Sequence, residues 1–211
     1  VQVSYLGYPG TMGADYIHYL IADQTLIPKD KQHNYTEKIV YMPNSYQVNV
    51  SKRTISKTSL LRHEFGLPDK GFIFCCFNNT YKIMPSTFTL WMQILKAVDG
   101  SVLWLFESNK ISVKNLKKEA MKSGVNDDRL IFASHMLVEE HLNRIRLADL
   151  FIDTLPYNAH TTSSDALRMG VPVLTCLGES FASRVAGSLL NAVNLPELIT
   201  NTPEEYEALA I

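Results

Sequence analysis

Phe151-Ile152-Asp153-Thr154-Leu155-Pro156-Tyr157-Asn158-Ala159-His160-Thr161-Thr162-Ser163-Ser164-Asp165 reads as a buried strand, a proline-containing turn and the start of a helix. The first turn of a helix leaves backbone N–H groups unpaired and carries partial positive charge, which suits an anion such as a phosphate. Thr161 and Thr162 add hydroxyls beside those amides, His160 adds a ring, and Asp165 follows further into the helix. A carboxylate placed there can accept hydrogen bonds from sugar hydroxyls, as acidic residues do for ribose in dinucleotide sites. Thr, Ser and Asp at a helix start are also ordinary caps. The stretch therefore has two readings, a plainly capped helix or a site for a nucleotide-bearing ligand.

The same strand-then-helix alternation runs outward on both sides. Phe72–Phe77, Val102–Phe106, Leu130–Ala133, Leu150–Asp153 and Val171–Cys176 are short and mostly apolar, as strands are when both faces of a sheet are covered. Between them the pattern predicts helices over Pro85–Val98, Ser112–Ser123, Val138–Leu147, Thr161–Met169 and Ala182–Ala192. Pro85 suits a first helical position, and Phe88, Trp91, Met92, Leu95 and Val98 form one apolar stripe, which places Trp91 in the core. This alternation implies an α/β fold with a doubly wound parallel sheet, in which ligands bind beyond the carboxyl ends of the strands. The loops after Phe77, Ala133, Asp153 and Cys176 are thereby selected.

The first residues differ. Val3–Leu6, Tyr19–Ala22 and Lys38–Met42 read as strands with a short helix near Lys29–Tyr35, which fits the end of another α/β unit. Residues 45–66 read as a connection containing one helix around Ser59–Phe65, between a first part at 1–44 and a second at 67–211. The chain opens in a strand-like pattern at Val1 and closes in a helix-like one at Ile211, the expectation for a segment of a longer protein.

Composition narrows the function classes. The 211 residues carry a formal net charge of -1 with 46% hydrophobic and 19% charged residues, which gives no electrostatic case for nucleic acid or an anionic membrane. The basic run Lys114-Asn115-Leu116-Lys117-Lys118 reads as a solvated helix face. Cys75, Cys76 and Cys176 lack metal-ligand spacing and read as buried reduced thiols, which predicts a cytoplasmic protein. No apolar run reaches membrane-span length, and no signal peptide, H-E-x-x-H, paired C-x-x-C or G-x-S-x-G is present.

Each strand-end loop carries candidate chemistry with an ordinary alternative beside it. Asn78-Asn79-Thr80-Tyr81-Lys82 precedes the Pro85 helix and places an ammonium where it can meet a diphosphate, or simply in a solvated loop. Ser134-His135-Met136 leads to Glu139-Glu140-His141, where His141 faces either the same mouth or the core. Gly178-Glu179-Ser180-Phe181-Ala182-Ser183-Arg184 is a glycine turn into a helix. Near the start, Leu6-Gly7-Tyr8-Pro9-Gly10-Thr11-Met12-Gly13 follows G-x-x-G-x-x-G, neither the dinucleotide fingerprint nor a phosphate loop, yet permits close backbone approach to a ligand.

Taken together, five blocks resemble the catalytic region of the O-GlcNAc transferase family, especially its bacterial members with tetratricopeptide repeats. They are Tyr5–Ala14, Glu37–Pro43, Phe77–Ile83, Asp153–Thr162 and Gly178–Arg184, in family order across nearly the whole chain. The resemblance implies a GT-B architecture, with 1–44 ending a first Rossmann-like lobe and 67–211 forming most of a second, nucleotide-sugar-binding one. It implies an inverting, metal-independent glycosyltransferase with no cofactor, taking a UDP-sugar as donor and Ser/Thr of a protein or peptide as acceptor. By position, Lys82 matches the lysine that stabilises the departing diphosphate, and His160, Thr161 and Thr162 match the diphosphate-binding helix start. Asp165 matches the ribose ligand, and His141 a histidine close to the nucleotide. Gly7 and Tyr8 match the glycine-rich turn facing the donor, and Asn79, Tyr81 and Tyr157 join the nucleotide-sugar set.

Asn79 stands where animal enzymes carry Gln, Val138 where they carry Lys, and Tyr157 where they carry Cys. These changes touch nucleotide contacts, so UDP-N-acetylglucosamine is the first expectation and UDP-glucose or another nucleotide sugar the alternative. The family's proposed bases fall upstream of Val1, which predicts that residues 1–211 alone are inactive. A non-catalytic nucleotide-sugar-binding module and a sugar-nucleotide epimerase are the competing readings.

Overall fold

The computed structural model describes residues 1–211 and contains two parallel sheets joined by an extended connection. The first sheet has the order β1-β2-β3, with β1 at Val3–Ser4, β2 at Tyr19–Ala22 and β3 at Lys38–Tyr41. The second contains β4 (Ile73–Cys76), β5 (Val102–Phe106), β6 (Leu130–Ala133), β7 (Leu150–Ile152), β8 (Val173–Cys176) and β9 (Ile199–Thr200). Its spatial order is β6-β5-β4-β7-β8-β9, and every pairing is parallel. Consecutive strands run one way from β4 to β6 and the other way from β7 to β9, so the order reverses between β4 and β7. Ligands of open α/β sheets bind in the crevice at such a reversal.

The helices that cover this sheet are α1 (Pro85–Ala97), α2 (Lys110–Lys122), α3 (Val138–Ile145), α4 (Thr161–Arg168), α5 (Val185–Ala192) and α6 (Pro203–Ala210). Pro85 occupies the first turn of α1, whose buried residues include Phe88, Trp91, Met92 and Leu95. Trp91 is fully buried and donates from its indole to the Tyr206 hydroxyl on α6 at 3.3 Å. Asn109 caps α2 by accepting from the Ser112 amide, and Thr202 caps α6 by accepting from the Glu205 amide. β4 and β8 are buried at every position, because helices cover both faces.

Several expected elements are shorter or different. The helix expected around Ser59–Phe65 is only a 3-10 turn at Arg62–Phe65, ended by Gly66 at φ 69°. The short helix near the start is likewise 3-10, Lys29–Asn34. The helix expected from Ala182 begins at Val185, because Phe181–Ser183 form a 3-10 turn in which the Ser180 amide and the Ser183 side chain bond to each other. β1 stops at Ser4, since Leu6 adopts φ 62° and breaks the extended run. A sixth strand, β9, was not expected: two residues carry too little pattern to register. No helix is long and apolar enough to cross a membrane.

The sheets meet through the connection and α5. The buried Asp23 carboxylate accepts from the Thr25, Leu26 and Tyr46 amides at 2.9–3.0 Å and from the Ser188 hydroxyl at 2.6 Å. Arg184 donates to the Thr25 and Gly178 carbonyls at 2.6 and 2.9 Å. A side chain at Gly178 would collide with Ser183, so the turn that presents that carbonyl requires glycine.

Candidate functional site

The loops after β4 and β7 lie side by side at the reversal, and their polar groups tie them into one unit. The Thr162 hydroxyl on α4 donates to Asn78 Oδ1. The Asn78 amide donates to Thr154 Oγ1 at 2.7 Å, and the Thr154 hydroxyl donates to the Tyr157 carbonyl at 2.6 Å. Beneath them the fully buried Asp153 carboxylate accepts from the Thr154 and Ala159 amides and the Thr175 hydroxyl at 2.6–2.8 Å. Burial pushes this carboxyl up to about 7, against the pull of those three bonds and of Lys82.

A 3-10 turn at Thr80–Lys82 carries Lys82 over this loop. Its ammonium donates to the Asn158 carbonyl at 2.9 Å and lies 4.1 Å from the centre of the Tyr157 ring. The Tyr157 ring stacks on His160, centroids 5.2 Å apart and planes 20° apart. Burial lowers the Lys82 pKa, and the Asp153 charge partly restores it. Burial, with the neighbouring Lys82 charge, lowers His160 to about 4, so its imidazole is neutral near pH 7.

The helix start bears directly on the two sequence readings. No side chain caps the first turn of α4, so its leading amides stay open to a ligand. Four buried side-chain polar atoms in the molecule lack a hydrogen-bond partner, and three of them, Asn158 Oδ1, His160 Nε2 and Ser163 Oγ, fall here. Buried polar groups are nearly always paired, so their concentration in six consecutive residues gives this turn unused hydrogen-bonding capacity. Ordinary capping does not account for it.

Beside this grip, a cleft of about 170 Å³ is lined by Phe77, Asn79, Phe106, His135, Met136, Val138, His141 and Arg144. His141 packs edge-on against Phe77 at 5.1 Å and accepts from Arg144 Nε through Nδ1 at 3.0 Å. Burial, reinforced by the Arg144 charge, lowers His141 to about 4. Arg144, itself buried, also donates to the Ser134 carbonyl at 2.7 Å. A neutral ring, aromatic walls and a backbone carbonyl held by an arginine give this cleft an apolar lining with a few fixed polar groups.

Across the crevice stands the glycine-rich turn of the first sheet. Glu37, buried at the start of β3, accepts from the Thr11 hydroxyl and the Met12 amide at 2.7 and 2.6 Å. Burial opposes its ionisation, but those bonds outweigh it and hold the carboxyl below its usual range. Gly7 and Tyr8 are exposed on this turn, and Tyr8 lines a cleft of about 410 Å³ with Lys31, Tyr35, Glu179 and Phe181. Burial raises the Tyr157 phenol, and the nearby Tyr81 and Tyr8 phenols add to it.

Of the residues singled out from sequence, Lys82, Tyr157, His160 and Thr162 gather at the reversal, and Asn79 and His141 line the adjoining cleft. Thr161 is exposed in the open first turn of α4, and Tyr81 points largely into solvent at 76% exposure. Asp165 lies on the same helix and is engaged by Arg53 of the connection at 2.7 Å. Sequence reading missed Asn78, Asp153, Arg144 and Arg53 as contributors. Arg144 had a signal, three residues beyond His141 and so on the same helical side; Arg53 had none.

Two parallel α/β units facing a crevice, the larger with its strand order reversing there, define the GT-B class of folds. The chain belongs to glycosyl transferase family 41, whose model matches residues 1–59 and 49–211. It is 41% identical over 217 residues to a probable UDP-N-acetylglucosamine–peptide N-acetylglucosaminyltransferase, SEC, of Arabidopsis thaliana, covering 100% of this chain and 22% of that protein. It is 41% identical over 150 residues to the UDP-N-acetylglucosamine–peptide N-acetylglucosaminyltransferase of Caenorhabditis elegans, covering 71% of this chain and 13% of that one. A solved Thermobaculum terrenum O-GlcNAc transferase mutant superposes with a TM-score of 0.87 at 32% identity, covering 100% of this chain and 40% of that structure. The chain thus spans less than half the length of each relative it matches.

Proposed function

We propose that this chain is the donor-holding part of an inverting glycosyltransferase that moves a sugar, N-acetylglucosamine first among candidates, from a UDP-sugar to Ser or Thr of a protein. Residues 1–44 then close the first lobe, 45–66 connect, and 67–211 form the second lobe. The observation that carries the reading is the Lys82 ammonium held 2.9 Å from the Asn158 carbonyl, just before the uncapped start of α4. The names of the relatives at 41% identity support the donor and acceptor classes.

In this mechanism, breaking the anomeric bond builds negative charge on the leaving diphosphate. Fixed donors meet that charge: Lys82, the open amides of α4 and the Thr161 hydroxyl, while the Thr162 hydroxyl, donated to Asn78, ties the helix start to the loop after β4. Preorganised donors of this kind supply several kcal/mol, because they need no rearrangement as the charge forms. Asn79, His141 and Arg144 flank the base, Asp165 takes the ribose, and Gly7, Tyr8, Tyr157 and His160 border the sugar. The neutral His160 Nε2, buried without a partner, is available to a sugar hydroxyl or amide. The reading assigns the leaving-group charge to protein donors and needs neither metal nor cofactor. The three buried, unpaired cysteines support a reducing compartment such as the cytoplasm.

The test is calorimetric titration of the protein at its natural full length with a panel of UDP- and GDP-sugars, followed by turnover of Lys82→Ala. Tight UDP-sugar binding with kcat lowered about 10²–10³-fold is expected, the effect typical of deleting one charge-stabilising donor. Near-normal kcat in the variant overturns Lys82's role. Binding without turnover in the wild type favours the non-catalytic module, and product without acceptor favours an epimerase.

A further inference from the structure

The geometry points to Arg53 as a positioning residue for the donor's ribose: its guanidinium holds one oxygen of Asp165 and leaves the other oriented and open for a sugar hydroxyl. The inference deepens the function proposed above and rests on its assignment of Asp165 to the ribose.

Arg53 belongs to the connection, far from α4 in sequence, yet its Nη1 donates to Asp165 Oδ1 at 2.7 Å. The pair is sheltered, with side-chain exposures of 30% and 14%. The backbone around it is laid along α4 by further bonds. Ser164 donates to Asn49 Oδ1 at 2.7 Å, and Arg168 donates to the Val50 and Ser51 carbonyls at 2.7 and 3.1 Å. A strap formed by residues 49–53 is therefore fastened to the helix that offers its amides to the diphosphate.

The same chain contains an ion pair built for structure alone, and it differs. Arg62 grips both oxygens of Asp149, each at 3.0 Å, and Asp149 also accepts from the Ile73 amide. That carboxylate is fully used. Asp165 by contrast gives Arg53 one oxygen, while Oδ2 has no protein partner. An ionised carboxylate is purely an acceptor, the form that a donating ribose hydroxyl requires. Burial raises the Asp165 pKa, and Arg53 is the charge that most opposes the rise. The guanidinium thus fixes the rotamer of Asp165 and protects its ionised state, without needing to touch the ligand.

The experiment measures calorimetric Kd values for UDP and for 2′,3′-dideoxy-UDP on the full chain. The wild type is expected to prefer UDP by about tenfold, the value of one good charge-assisted hydrogen bond. In Arg53→Met the preference should fall below about threefold, through weaker UDP binding and little change for the dideoxy ligand. Arg168→Met cuts the strap's carbonyl bonds and removes a lesser charge near Asp165 but leaves the Arg53–Asp165 bond in place, and should keep most of the tenfold preference. If Arg53→Met does not fold, Arg53→Lys is read the same way, with a preference below wild type expected. An unchanged preference in the Arg53 variant overturns the proposal. So does an equal collapse in Arg168→Met, which would assign the effect to the strap's packing. A wild type that binds UDP and the dideoxy ligand alike, or neither, instead overturns the ribose site itself.

Discussion

The six-stranded sheet encloses a core of 36 buried residues, all drawn from positions 67–210. The three-stranded sheet rests on a cluster of seven, and two of those, Phe181 and Val185, come from the other side of the crevice. A third, Tyr46, belongs to the connection and packs edge-on against Phe181 at 5.1 Å. The larger unit therefore holds its donors, Lys82 and the start of α4, on a scaffold stabilised by its own burial. The smaller unit presents Gly7 and Tyr8 on a turn whose position depends on borrowed contacts. Elements with few buried apolar contacts open at lower free energy than the core, so the small sheet is the part able to shift against a fixed donor grip.

Removing Trp91 should have the largest effect. Its truncation to Ala empties the centre of the large core and is expected to cost about 3–5 kcal/mol in denaturant unfolding. Because Phe181 and Val185 ride on that scaffold, the small sheet should unfold with it. Hydrogen exchange that leaves 19–41 protected after 73–200 has opened would break the asymmetry. Next comes the chemistry: Lys82→Ala should lose about 10²–10³-fold in kcat, some 3–4 kcal/mol, while Tyr8→Phe on the small sheet stays within about tenfold. Equal losses would mean that both units share the leaving-group charge.

Asp23→Asn probes the joint with an effect of about 2 kcal/mol, the cost of one unsatisfied buried donor. Asn keeps Oδ1 for the Thr25 and Leu26 amides but turns an N–H towards the Tyr46 amide, which now bonds Oδ2 at 2.9 Å. Faster amide exchange confined to β2 and β3 is expected. Faster exchange in β4 or β7 as well would contradict the picture of an independent large core.

What the sequence disclosed follows the same division. Strands β4 to β8 announce themselves because burial on both faces leaves unbroken apolar runs, and α1 because Pro85 and its apolar stripe agree. The stretch from Phe151 to Asp165 carries strand, turn and helix start within one local pattern. Illegible were features that depend on distant partners or on very few residues. β9 is two residues long, and the turn at Phe181–Ser183 is set by Ser180 and Ser183 bonding each other. Arg53 meets Asp165 only because the connection folds back along α4, a tertiary event with no local signature. Arg144 shares a helical side with His141 in the sequence, but its burial against Phe77 and Trp104 follows only from the fold.

The smallest effect expected concerns Asp153 and the tuning of Lys82. Asn at this position can keep the network: its oxygen accepts from Thr154 and Ala159, which both bond Oδ1, and its N–H₂ donates to Thr175. The folded carboxyl is pushed up to about 7 by burial, so the folded state binds this proton more tightly than the unfolded one. Its contribution to stability is thus complete below the unfolded value of about 4 and is lost as pH rises through about 7. Asp153→Asn should therefore flatten the decline of stability across that window. Its second consequence separates tuning from packing. Burial already lowers the Lys82 pKa, and the Asp153 charge counters it; removing that charge should move the alkaline limb of kcat to lower pH, by less than about one unit or ~1 kcal/mol. An alkaline limb that stays in place while stability flattens would show that the buried carboxylate braces the loop without reaching the ammonium.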